Sequence, residues 1–183
     1  MAAESILIGR NAPPSHYMIK IESFSLLQTS VNVFSSEEFD VGGYKWKMSI
    51  YPTGNYSRNG EDHISVYLEL VQTSSLPAGW EVNVITKFFI FNSCRTNISV
   101  TKTSFPSDTN VVVKFILRIK EQKNGKDIEF KDNHLFAPNA NVRGCDRFLS
   151  LSKLEYPNHG FLVNDALIIE ANVTLLGFQL ANS

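Results

Sequence analysis

Sulfur is scarce in this chain: 183 residues hold two cysteines, Cys94 and Cys145, and three methionines. Two cysteines do not make a disulfide framework. The four histidines, His16, His63, His134 and His159, stand at no metal-ligand spacing with a cysteine or with a helical carboxylate. No metal and no cofactor are therefore expected. An excess of one charge is also missing, since 17 Lys and Arg face 18 Asp and Glu for a formal charge of −1. That balance gives no broad basic surface for nucleic acid. No apolar run approaches the roughly 20 residues of a membrane span. The apolar stretch at residues 6–8 is too short for a secretory signal. A soluble intracellular protein is expected, cytoplasmic or nuclear. Heptads, repeats of solenoid length, a Gly-Lys-Ser/Thr phosphate loop and a dinucleotide fingerprint are all lacking.

What the chain has is strand alternation. Gly42-Gly43 supplies a tight turn, because glycine takes positive φ without steric cost. Tyr44, Trp46, Met48 and Ile50 then point to one side, and Lys45, Lys47 and Ser49 to the other, until Pro52 closes the strand. Residues 63–71 alternate as cleanly: Ile64, Val66, Leu68 and Leu70 inward, His63, Ser65, Tyr67 and Glu69 outward. Further strands are predicted at 16–24, 37–41, 82–91, 98–101, 111–119, 128–130, 147–151 and 166–176. Asn124-Gly125 reads as a hairpin turn. Helical periodicity is absent apart from a possible short helix after Leu151. A hydrophobic content of 43% suffices for one core. The fold expected is an all-β antiparallel sandwich of about eight strands, with Trp46, Ile50, Ile64, Val66 and Leu68 in its core.

The stretches Phe39-Asp40-Val41-Gly42-Gly43-Tyr44-Lys45-Trp46, Tyr51-Pro52-Thr53-Gly54-Asn55, residues 59–68, Pro77-Ala78-Gly79-Trp80 and Gly160-Phe161-Leu162-Val163-Asn164-Asp165 occur in an order that resembles a meprin and TRAF homology (MATH) domain in its plant form. The resemblance covers roughly residues 16–176. The expected layout is a leader over 1–14, the domain over 15–178 and a tail over 179–183. Residues 91–144 are longer than the family pattern. Segments 82–91 and 111–119 both suit its long central strand. Segment 82–91 is the preferred one, which leaves 103–130 as an inserted hairpin on the sandwich edge.

The resemblance implies a module that holds an extended peptide of a client protein by strand addition, with main-chain bonds for affinity and pockets for choice. Tyr67 matches the family's outward aromatic, with an ordinary surface tyrosine as the alternative. The family's tryptophan-glycine-phenylalanine wall corresponds to Arg143-Gly144-Cys145, followed by Asp146, Arg147 and Phe148. Thr86 falls where some members place a phenylalanine. The glycine is kept and the aromatic anchors are lost, so the family's ligand motifs do not transfer. Arg143 and Arg147 suit an acidic or phosphorylated segment, or are plain solvated arginines.

No enzyme is expected. Cys145, flanked by the two arginines, lacks a nucleophile motif and reads as a structural cysteine. Asn164-Asp165 holds one carboxylate and reads as a turn. The three Asn-X-Ser/Thr matches, at Asn55, Asn97 and Asn172, read as coincidence. An adaptor or scaffold linked to the ubiquitin system is the leading function, with the oligomeric state open. The alternatives are a sugar-binding sandwich that uses Tyr51, Tyr56 and Trp80 as stacking platforms, and a degenerate copy that binds nothing.

Overall fold

The computed structural model describes residues 16–71 and 109–180. Its elements run β1 (Tyr17–Ile21), α1 (Phe24–Ser30), β2 (Phe34–Ser35), β3 (Phe39–Val41), β4 (Tyr44–Tyr51), a 3-10 turn (Tyr56–Arg58), β5 (His63–Leu70), β6 (Thr109–Ile119), β7 (Ile128–Phe136), β8 (Val142–Ser150), α2 (Leu151–Glu155) and β9 (Leu167–Leu180). One sheet has the order β1-β9-β6-β7. The other has the order β2-β4-β5-β8, with β3 also paired to β4. All pairings are antiparallel. The two sheets face each other across one core, as the alternation required.

That core is built by inward residues of both sheets. Trp46, Met48 and Ile50 of β4 and Ile64, Val66 and Leu68 of β5 are fully buried, facing Val111, Val113, Leu117 and Ile119 of β6 and Leu167, Ile169 and Ala171 of β9. The Trp46 indole N–H donates to the Val41 carbonyl at 3.1 Å, and its ring meets Phe136 edge-on at 5.1 Å. Gly42 and Gly43, at φ 60° and 77°, make the two-residue turn between β3 and β4. Positive φ at both central positions matches the twist of the paired strands.

The segment expected as an edge insertion is instead central. β6 lies between β9 and β7 and buries every second side chain from Val111 to Ile119. Ladder pairing on both edges, with β7 on one side and β9 on the other, makes it an interior strand, whereas an inserted edge hairpin would leave one edge unpaired. Segment 82–91, preferred for that slot, lies outside the described residues. The Asn124-Gly125 turn does join β6 to β7, with Gly125 at φ 72°. Its loop is shaped by the buried Glu121 carboxylate, which accepts from the Lys123, Asn124 and Lys126 N–H groups. On the outer face of this sheet Arg118 is buried between Glu170 (2.9 Å) and Glu129 (2.6 Å), tying β9, β6 and β7 together.

Two boundaries also change. β8 begins at Val142 rather than 147 and ends before Leu151, which opens α2 with Ser150 as its cap. α1 has no counterpart in the sequence reading. Its first turn is held by Asp165, whose side chain accepts from the Ser25 N–H (3.0 Å) and hydroxyl (2.7 Å). Asn164 and Asp165 take φ 50° and 57°, the turn expected of them.

Candidate functional site

In the second sheet β8 is the last strand: β5 pairs with one of its edges, and among the described residues no strand pairs with the other. The Leu70 N–H donates to the Asn141 carbonyl at 2.9 Å. In an antiparallel ladder, bonded and non-bonded pairs alternate. Leu68 and Arg143, and Val66 and Cys145, are therefore bonded pairs, whereas Glu69 and Val142, and Tyr67 and Gly144, are not. The backbone N–H and C=O of Val142 and Gly144 thus point to the free edge.

Gly144 is indispensable there. A Cβ at this position would lie 2.1 Å from the Val66 carbonyl oxygen and 2.5 Å from the Tyr67 Cα. With no side chain in the way, Tyr67 spans β8 and donates its hydroxyl to Asp146 Oδ1 at 2.6 Å. Tyr51 meets its ring edge-on at 5.6 Å, and the Arg58 guanidinium lies 5.1 Å from its centroid. Tyr67 is outward from the core, as alternation demanded, yet it is only 2% exposed. It is therefore no ordinary surface tyrosine. Burial, and then the Asp146 carboxylate that takes its hydrogen bond, push its pKa well above that of free tyrosine. Beside it a hollow of 210 Å³ is lined by Ser49, Tyr51, Asn55, Arg58, Tyr67, Glu69 and Val142.

The rim of this hollow is the loop from Pro52 to Asp62. Its anchor is Ser65, a fully buried hydroxyl on an otherwise outward position. Ser65 accepts from the Asn55 N–H at 2.9 Å and donates to the Asp146 carbonyl at 2.5 Å. It sits where the β5–β8 register breaks between Ile64 and Val66, so one side chain fastens both the loop and the bulge. Gly60 is locked into the same knot, since a Cβ there would lie 2.6 Å from Ser65 Oγ and 2.7 Å from the Asp146 carbonyl.

The inner side of β8 is different. Arg143 pairs with core-facing Leu68 and reaches across the sandwich mouth to β7, where its Nε donates to Asp132 Oδ2 at 2.7 Å. Burial raises the Asp132 carboxyl, but Arg143 and the Asn133 N–H outweigh it and hold the group below the usual carboxylate range. Cys145 packs half-buried against the core. Burial raises its thiol pKa and the Asp146 carboxylate adds to that; the Arg147 N–H only partly opposes it. The flanking arginines therefore do not make it a reactive thiolate. Arg147 is exposed at the bulge.

Of the residues singled out in the sequence, Tyr67, Gly144, Cys145, Asp146 and Arg147 gather on or against β8, and Arg143 joins them from its inner side. Thr86, Cys94 and Trp80 lie outside the described residues. Ser65, Arg58, Val142 and Asp132 were missed. A serine on an outward strand position looks ordinary in sequence, and Asp132 belongs to the opposite sheet. Of the residues of the sugar-platform reading, Tyr51 is half-buried and meets Tyr67 edge-on, Tyr56 is exposed, and Asn55 is buried with its Oδ1 accepting from Ser57. Among the described residues no group of three or more His, Cys, Asp or Glu is placed to hold a metal ion, and no helix is long and apolar enough to cross a membrane.

A family model described as MATH domain matches residues 16–107 and, overlapping it, 96–173. The chain belongs to the MATH domain family. Ubiquitin C-terminal hydrolase 12 of Arabidopsis thaliana is 30% identical over 167 residues, covering 91% of this chain but 12% of the hydrolase. A MATH domain and coiled-coil domain-containing protein of the same plant is 32% identical over 158 residues, 86% of this chain and 38% of that protein. The chain thus spans well under half of the curated relatives it matches. A solved TRAF5 chain of Notothenia coriiceps superimposes with a TM-score of 0.55 at 17% identity, covering 91% of this chain and 76% of that one. That likeness speaks to the fold, a TRAF-like β-sandwich. MATH domains are protein-interaction modules, and the match to the hydrolase is confined to about an eighth of its length.

Proposed function

We propose that this MATH domain is a non-enzymatic recognition module that adds an extended client segment as a further strand on the free edge of β8, beside the Tyr67 hollow. The supporting observation is the outward backbone of Val142 and Gly144, two donors and two acceptors that no described strand uses. The hollow next to Val142 gives one face of such a strand a place for a side chain. A ubiquitin-linked adaptor role rests on the names of the Arabidopsis hydrolases alone.

Val142→Pro tests the reading. Proline removes an N–H that faces away from β5, at the first residue of an edge strand, where proline is tolerated. Short peptides selected from a displayed random library should lose roughly tenfold or more in affinity, while the circular dichroism spectrum stays that of the wild type. Selected peptides that bind the variant equally well would refute strand addition at β8.

A further inference from the structure

The free edge of β8 is flanked on both faces by arginines whose donors are largely unspent. On the inner face Arg143 uses Nε for Asp132, and its side chain is 50% exposed. Its two terminal NH2 groups have no partner among the described residues. On the outer face Arg58 lies over the Tyr67 ring at the wall of the hollow, with no carboxylate of the described residues within ion-pair distance. Arg147 is exposed at the bulge, without an ion pair among the described residues.

The acids nearby are each already engaged. Asp132 is held by Arg143, Asp146 takes the Tyr67 hydroxyl, and Glu69 is paired with Lys47 at 3.3 Å. A ligand strand therefore meets unsatisfied guanidinium N–H groups, not free carboxylates. Guanidinium forks match carboxylates in planar geometry and give charge-assisted bonds about twice as strong as neutral ones.

Strand geometry converts this into a pattern. Neighbouring side chains of a strand point to opposite faces. A residue alongside Gly144 faces the outer hollow and Arg58, and its neighbour, alongside Arg143, faces the inner mouth. We infer that the β8 edge selects extended segments with aspartate or glutamate at neighbouring positions, one carboxylate for Arg58 on the outer face and one for Arg143 on the inner. This rests on the strand-addition reading and names its partner chemistry: an acidic protein segment.

The test uses the whole chain and a bead-displayed library of random acetylated short peptides, sorted at low and at high ionic strength. Bound peptides should be several-fold enriched in Asp and Glu at adjacent positions, and added salt should erode that enrichment, as for any exposed charge pair. R143Q keeps a donor for Asp132 but removes the charge. It should lose the preference at one of the two positions, and R58Q at the other, each weakening a selected acidic peptide about tenfold. Enriched peptides without an acidic preference would overturn the inference and leave strand addition standing. So would a preference that survives both variants. No enrichment at all, or affinity unchanged by V142P, would remove strand addition and the inference with it.

Discussion

Replacing Ser65 by alanine isolates the knot that builds the site. The hydroxyl is fully buried and joins two segments, accepting from the Asn55 N–H and donating to the Asp146 carbonyl. Alanine removes one oxygen and strands both partners. The Asn55 N–H is deeply enclosed by the loop, and an unsatisfied buried donor costs about 1–3 kcal/mol. The Asp146 carbonyl is less enclosed and recovers part of its loss through water, so the total should be about 2 kcal/mol. In a chain of this size that lowers the melting temperature by about 4–8 °C. Urea unfolding should show a lower midpoint at unchanged slope, because the surface exposed on unfolding is the same. Hydrogen exchange should localise the effect: the Asn55 amide loses protection while the β4 amides at Met48 and Ile50 keep theirs. If Ser65→Ala falls within about 0.5 kcal/mol of wild type, the usual range of an inconsequential substitution, and Asn55 stays protected, the loop is held by other contacts and the reasoning fails.

Trp46→Ala deletes a fully buried indole that packs on Phe136 and donates to Val41, and should cost about 3–5 kcal/mol in a denaturant titration. Acid should destabilise the fold through three carboxylates. Glu129 is lowered by Lys131 and then Arg118, while Asp132 and Glu121 are lowered because hydrogen bonds outweigh burial. A depressed folded pKa stabilises above the unfolded value and is lost as pH falls through the folded one. The melting temperature should therefore be level near neutrality and drop below about pH 4.5. A level profile down to about pH 3 would contradict those ion pairs.

What was legible in the sequence was local. β4 and β5 announce themselves because a period-two pattern needs only its own residues, and Gly42-Gly43 because a backbone turn is a property of two positions. α1 was hidden because its first turn is fastened by Asp165, 140 residues away from Ser25. Seven residues are also too few to show a helical period. The centrality of β6 was hidden because pairing on both edges depends on strands from elsewhere in the chain, and two similar β-rich runs competed for one slot. The site split the same way. The motif located Tyr67 and the 143–147 segment, but alternation alone placed Tyr67 on the surface. Its burial comes from Tyr51, Arg58 and the missing side chain of Gly144, contributions from three separate stretches.

The free edge also sets what any ligand must bring. Val142 and Gly144 offer two N–H and two C=O groups. At a net of about 0.5–1.5 kcal/mol each, four backbone bonds supply about 2–6 kcal/mol. Association costs about 4–15 kcal/mol in lost motion before any ordering of the peptide. Backbone pairing alone therefore leaves at best a marginal complex, and the side chains must decide whether binding occurs. In a groove walled by flat aromatics that surplus would come from apolar burial. Here the corresponding positions hold Arg143 and Cys145, the first turned to Asp132 and the second folded into the core. Neither presents a flat apolar surface. The remaining sources of surplus are the hollow beside Tyr67 and the spare guanidinium donors. If clients add as a strand at β8, binding should consequently be weak for neutral segments and salt-sensitive for acidic ones.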